Sequence, residues 1–293
     1  MQALLPEDVA TPLLRERIRA LFGRLPKAVA GNEEAIHQMR VMGRRLRVAL
    51  PLLARKPTGR RVRRSLRQLR LLTRTAGHSR DFDVIQDRLH ELVQSQAEPS
   101  GEMKVLLARL AAARRRSRAR MGEALLDLEI AGLRRDLRAI VRRQGETRFG
   151  VLLRLREARE RESRRAFDVI EAMGQGFEPD LLHKLRRICR RLRYTSEVAD
   201  VVRGQESPAA AQFKALQDEL GTIHDDWVLC RWLELRAEGA HRSGQSSLAE
   251  AARRLGDQLR DRSSHGHREL LGSGLRERVG RAAAEMGGAR SAA

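Results

Sequence analysis

Three observations predict an all-α protein built by duplication of one helical unit. Apolar residues recur at three- and four-residue spacing in nearly every segment of the 293-residue chain. No run alternates apolar and polar residues with the β-branched and aromatic enrichment that a strand needs. Two stretches repeat one another without a gap, which is the mark of a repeat architecture. The length is about twice the commonest domain size, so a large core is available and two halves are expected, residues 1–150 and 151–293.

Helix breakers divide the chain into about ten helices. The first ends between Pro26 and Asn32, where Asn32 precedes Glu33 and Glu34 and so caps the second helix with an acceptor and negative charge. The second ends at Lys56 to Gly59. Further breaks are expected at Gly77 to Ser79, Glu98 to Gly101, Gly145, Gly174 to Pro179, Arg203 to Pro208, Gly221, and Gly239 to Ser246. Ser79 before Asp81, and Thr222 before Asp225 and Asp226, read as further helix starts. On this reading Asp81, Asp83, Asp225 and Asp226 are helix-start acids, stabilised there without catalytic duty.

Charge points to an anionic partner. The net charge is +21, and 54 of the 59 basic residues are Arg, the planar, permanently charged donor suited to phosphate oxygens. Such an excess repels itself in the folded state unless a polyanion binds. Forty-one per cent hydrophobic residues is too apolar for a disordered basic tail. With no long apolar run and no basic leader before one, neither a transmembrane helix nor a signal peptide is expected, and the protein is read as soluble and cytoplasmic. Cys189 and Cys230 sit inside apolar helical patterns and read as small core residues.

The repeat carries the chemistry. Ile36-His37-Gln38-Met39-Arg40 through Arg44-Arg45-Leu46-Arg47 aligns with Leu182-His183-Lys184-Leu185-Arg186 through Arg190-Arg191-Leu192-Arg193. Gly77-x-x-Arg80-Asp81 likewise parallels Gly221-x-x-His224-Asp225, so an approximate two-fold axis is expected between the halves. On a helix turning ~100° per residue, Arg40, Arg44 and Arg47 fall within about 80° of arc beside His37, opposite Met39, Met42, Leu46 and Leu50. His183, Arg186, Arg190 and Arg193 repeat the pattern, and each stripe is expected on the outward face of its helix. Neighbouring cations on one face repel by a few tenths of a kcal/mol per pair. No acid lies within either motif, so intrahelical pairing does not offset that cost. A second stripe, Arg63, Arg67, Arg70 and Arg74, lies on the following helix, and the two are expected to line a basic groove. Lys214 takes the place of Arg70 in the second half, where Gln217 and Asp218 replace Thr73 and Arg74 and weaken the copy.

His37 and His183 have two readings, as interfacial histidines bonded to a carbonyl or as phosphate donors that strengthen when protonated. A metal held by the two lacks the carboxylate or thiolate partners of a closed site, and none is expected. No phosphate-loop, nucleophile-elbow or paired-acid motif occurs, so neither catalysis nor a cofactor is expected. A non-specific nucleic-acid binder is the second candidate. Binders of single strands add aromatic stacking platforms, but aromatics are 3% of this chain and Phe82, Tyr194, Trp227 and Trp232 fall at core-pattern positions.

These paired motifs resemble the signature helices of the CHAD family, the conserved histidine α-helical domain, and Gly77-x-x-Arg80-Asp81 and Leu216-Gln217-Asp218-x-Leu220-Gly221-x-x-His224-Asp225 resemble its secondary motifs. The resemblance spans almost the whole chain. It implies two antiparallel four-helix bundles related by pseudo-two-fold symmetry, a basic central surface that binds inorganic polyphosphate, and no catalytic residues. By position, His37, Arg40, Arg44, Arg47, His183, Arg186, Arg190 and Arg193 inherit the ligand role, with Arg45 and Arg191 beside them. His224 departs from the family's usual Asn, and Gly43 is unusual in a helix interior. No triphosphate tunnel domain precedes the unit, so the resemblance implies a stand-alone binder, associated with polyphosphate granules.

Overall fold

The computed structural model describes residues 8–94, 100–142 and 147–287, without the side chains of His78 and Arg80. Among the described residues the chain is all-α, with ten helices and no strand. They are α1 (Ala10–Val29), α2 (Glu33–Leu53), α3 (Arg60–Gln94), α4 (Gly101–Leu126), α5 (Ile130–Arg142), α6 (Arg148–Ala172), α7 (Pro179–Arg203), α8 (Ala209–Arg242), α9 (Ser246–Gly272) and α10 (Leu275–Glu285). The second half therefore opens within the first turn of α6. Expected breaks at Glu98 and Gly145 and the first seven residues lie outside the described residues.

Capping chemistry sets several starts. The side chain of Asn32 accepts from Ala35 N at 2.9 Å, Ser100 from Met103 N at 3.3 Å, and Thr147 from Gly150 N at 3.2 Å. Gly204 ends α7 in the left-handed region at φ 68°, as a glycine C-cap does.

Two expected breaks are absent. Gly77 to Ser79 lies inside α3 and Gly221 inside α8, so Ser79 and Thr222 are not caps. A helix-interior glycine costs about 1 kcal/mol relative to Ala, and here it makes room for an arginine. A Cβ on Gly221 would lie 3.1 Å from Nη2 of Arg186, and one on Gly77 would lie 3.9 Å from Nη2 of Arg40. The acids read as helix-start charges are mid-helix counter-ions. Asp83, 2% exposed, accepts from Arg114 Nε at 2.6 Å and Arg118 Nη2 at 3.0 Å and ties α3 to α4. Asp226, 3% exposed, accepts from Arg88 Nε at 2.9 Å and ties α8 to α3. Conversely, the turns at 127–129 and 273–274 were not foreseen, because neither interrupts the apolar period strongly.

The neighbour pattern of α1–α5 recurs in α6–α10. α1 packs on α2, α2 on α3, α3 on α4 and α5, and α1 on α5; α6 on α7, α7 on α8, α8 on α9 and α10, and α6 on α10 follow the same order. Between the halves α2 meets its counterpart α7, α3 meets α8 and α4 meets α9, and α2 also touches α6. One apolar cluster centres on Ile36, Leu46 and Leu50 and takes in Val151 and Leu155 of α6 and Val198 and Val202 of α7, while a second, around Leu185, Leu192 and Phe213, lies within the second half. A third cluster joins them: Leu89 and Leu106 of α3 and α4 pack with Leu229 and Leu233 of α8. The long helices α3 and α8 thus leave their own bundle and build a core shared by both halves.

Gly43 has a packing reason. A Cβ there would lie 2.7 Å from Cγ2 of Thr73, where α2 approaches α3. Gly43→Ala gains helix propensity of about 1 kcal/mol but overpacks this contact by roughly 1–3 kcal/mol, so chemical denaturation is expected to show a net loss. Thr73→Ser in the same chain removes the offending methyl and should abolish the loss. An equal loss in both backgrounds would exclude this contact as its cause.

Candidate functional site

α2 is enclosed by α1 and α3 on two sides, and its basic stripe falls against α7. The expectation of an outward face is corrected: Arg40 is 7% exposed, and His37, Arg44 and Arg47 are half-buried. His183, Arg186, Arg190 and Arg193 of α7 are half-buried as well. Each stripe faces, rather than open water, the other copy of itself.

The result is a concentration of positive charge with few internal acids. Burial, and then Arg44, Arg186 and Arg40, push the Arg190 guanidinium down to about 9. Burial lowers Arg44, with Arg186 adding to the effect while Tyr194 and Asp81 oppose it. Arg47 is lowered by burial and by Arg70, Arg44, Arg187 and Arg191. Among the described residues neither Arg44 nor Arg190 has a hydrogen bond or ion pair. Arg47 donates to Thr73 Oγ1 at 3.3 Å.

The duplicated second motif orients the duplicated first. Arg40 of α2 lies 3.8 Å from Asp81 of α3, and Arg186 of α7 lies 3.3 Å from Asp225 of α8. Glycine one turn earlier, Gly77 or Gly221, gives each guanidinium room against the helix. The Gly-x-x-x-Asp spacing thus serves Arg placement.

Other sequence-named residues are drawn away from this cluster. Arg45 and Arg193 both pair with Glu197, at 2.9 and 3.3 Å, and flank the Tyr194 ring with each guanidinium carbon 5.7 Å from its centroid. Together they clamp α2 to α7. Arg191 donates to Glu162 of α6 at 2.7 Å. Arg63, Arg67, Arg70 and Arg74 are exposed on α3 and, among the described residues, have no hydrogen bond or ion pair, and of these Arg70 is close enough to Arg47 to act on it. Lys214 is exposed and pairs with its own Asp218 at 2.5 Å. Arg187, outside the 80° arc, was missed by the stripe argument, although it acts on both Arg47 and His183.

The histidine of the second half has a partner that the sequence did not suggest. His183 Nδ1 lies 2.8 Å from His224 Nε2, while Arg186 Nη1 lies 3.3 Å from His224 Nδ1. Burial first, then His224, Arg187, Arg186 and Arg190, push His183 down to about 4. In the free protein His183 is therefore neutral at physiological pH, and any phosphate contact it makes begins from a neutral ring. An unfolded histidine takes up its proton near pH 6.5, the folded one only near 4, so this group favours unfolding as pH falls from 6.5 to 4. Denaturation midpoints over that range should fall less steeply for His183→Gln than for the parent, and parallel curves would assign the acid limb to other groups.

The comparisons agree on family and fold. A family model described as the CHAD domain matches residues 12–234. The crystal structure of the CHAD domain from the plant Ricinus communis superposes with a TM-score of 0.66 at 19% identity, covering 99% of this chain and 96% of that one. At that identity the likeness concerns the fold alone. No curated protein matches the sequence. With its duplicated His-Arg helices brought face to face and the family match extending over most of the chain, the protein belongs to the CHAD domain family.

Proposed function

We propose that the protein binds inorganic polyphosphate, without catalysis, on the arginine surface where α2 meets α7. One observation carries the reading. Arg44 and Arg190 are half-buried, mutually repulsive and, among the described residues, without a hydrogen bond or ion pair, an arrangement that costs free energy until an anion arrives. Arg47, Arg70 and Arg187 continue the charge along one side, which suits a line of phosphates better than a single one. A polymer with a negative charge at every repeat and no bases asks nothing of aromatic side chains.

Nucleic acid is the second reading, and the aromatic residues speak against it. Trp232 and Tyr194 are buried, and Phe82 and Trp227 pack against the shared core, so none of these four offers a stacking face; the exposed Phe149 lies at the start of α6. A covalent mechanism through cysteine finds no support, because burial pushes the Cys189 thiol up to about 12 and the Cys230 thiol up to about 11. No helix among the described residues is long and apolar enough to cross a membrane. A protein of this kind would collect on polyphosphate granules.

Calorimetry with long-chain polyphosphate and with single-stranded DNA at matched salt tests the reading. Polyphosphate should bind more tightly, with a log–log salt slope of roughly −0.7 per neutralised phosphate if single strands are a fair guide. Combined Arg44→Gln and Arg190→Gln should weaken polyphosphate binding at least tenfold while thermal stability holds or rises, since the repulsion is relieved. Undiminished binding by a folded double variant would reject the site, and release of orthophosphate by the parent protein would reject the non-catalytic role.

A further inference from the structure

A groove of 590 Å³ runs between α1 and α5, and no residue of α2, α3 or α7 lines it. Phe22, Leu25 and Pro26 of α1 and Ile130 and Ala131 of α5 give it an apolar lining. Arg134, Arg135, Arg138 and Arg142 of α5 complete it. All four arginines are exposed, and none has a hydrogen bond or ion pair among the described residues. The one acid within α5, Asp136, is buried and taken by Arg64 of α3. Among the described residues no acidic side chain lines the groove.

Three of these arginines form a row. Arg134, Arg138 and Arg142 succeed one another at four-residue intervals, about 6 Å apart along the axis, and such like-charged neighbours cost a few tenths of a kcal/mol per pair. An apolar lining beside an unneutralised row is a combination that solvent does not explain. We propose that this groove docks an acidic amphipathic helix of a partner protein. Carboxylates at i, i+4 and i+8 on such a helix repeat at the same ~6 Å and meet the arginine row in register. Its apolar face covers Phe22, Leu25 and Ile130, in the manner of a helix laid in a groove.

Other polyanions fit less well. Inorganic phosphate chains have no apolar surface to bury against the lining. The Phe22 ring lies under the Arg134 guanidinium, 5.2 Å from its centroid, and is half-buried, which removes it as a platform for bases. A flat anionic lipid surface calls for protruding apolar side chains, whereas Phe22, Leu25 and Ile130 are half-buried at the sides of a cleft. A second copy of this chain, at +21, is repelled.

The test uses a fluorescein-labelled synthetic helix of sixteen residues, with Glu at i, i+4 and i+8 and Leu on the adjacent face, followed by fluorescence anisotropy. A scrambled peptide of the same composition keeps the charge and loses the faces. The full chain should bind the patterned peptide at least tenfold more tightly than the scrambled one. Combined Arg134→Gln, Arg138→Gln and Arg142→Gln should weaken it at least tenfold, as should Ala131→Glu, which places bulk and negative charge on an exposed groove position. A control with the same net charge, Arg242→Gln, Arg253→Gln and Arg254→Gln on exposed positions of α8 and α9, should bind as the parent does. Equal binding of the two peptides, or equal loss in the control, would overturn the proposal by reducing it to net charge. So would a groove variant that loses affinity for phosphatidylserine vesicles or single-stranded DNA while keeping the peptide. The outcome is independent of the polyphosphate reading, because Arg44→Gln with Arg190→Gln should leave peptide binding unchanged.

Discussion

Like charge held at the junction of α2 and α7 is the constraint around which the rest of the molecule is arranged. Bringing Arg40, Arg44, Arg186 and Arg190 together out of bulk water costs free energy through desolvation and repulsion, and the depressed Arg190 records both. The scaffold resists the splaying this would cause in two ways. Glu197, shared by Arg45 and Arg193 on either side of the Tyr194 ring, forms an ion-paired clamp between the same two helices. The core shared by α3, α4, α8 and α9 binds the halves at a distance from the charge, where burial of Leu89, Leu229 and Leu233 works without electrostatic opposition. Stability is supplied away from the site, and the site itself is left unfavourable.

That separation explains what could be read from the sequence. The all-α class followed from apolar period, and the duplication followed from His37 and His183 with their matching arginines. The two stripes were legible as residues, yet their surroundings were not. A helical wheel tells which side chains share a face; it does not tell whether that face meets water or its own duplicate. Gly77 and Gly221 misled for a related reason, since a glycine that breaks a helix and one that receives a guanidinium look the same in one dimension. The acids Asp83 and Asp226 were noticed, but their partners Arg114, Arg118 and Arg88 lie on other turns or other helices. Neither the clamp at Glu197 nor the groove between α1 and α5 had a local signal, because each is assembled from segments more than a hundred residues apart.

The two halves share one neighbour pattern and differ in charge. Arg40 with Asp81 and Arg186 with Asp225 repeat almost residue for residue. Along the following helix the repeat fails: Arg63, Arg67, Arg70 and Arg74 have Ser207, Ala211, Lys214 and Asp218 in the corresponding places, and the last two neutralise each other. Positive potential therefore extends from the central cluster through Arg47 and Arg70 onto α3, and has no equivalent extension onto α8.

For a linear polyanion this asymmetry has a consequence. A symmetric cluster alone would accept a chain equally in either half and gain nothing from length once the central cations were covered. A one-sided row lets a longer chain continue in one direction, each further phosphate meeting Arg67, Arg63 or Arg74 at the surface, where screening makes every contact weak on its own. On the proposed reading the buried cluster supplies anchoring and the exposed row supplies length dependence. In the second half the neutral His183, hydrogen-bonded to His224 beside Arg186, occupies the neighbourhood where an arginine would add to a repulsion already severe enough to depress Arg190. The duplication gives the fold its two-sided frame, and divergence between the copies gives the surface a direction.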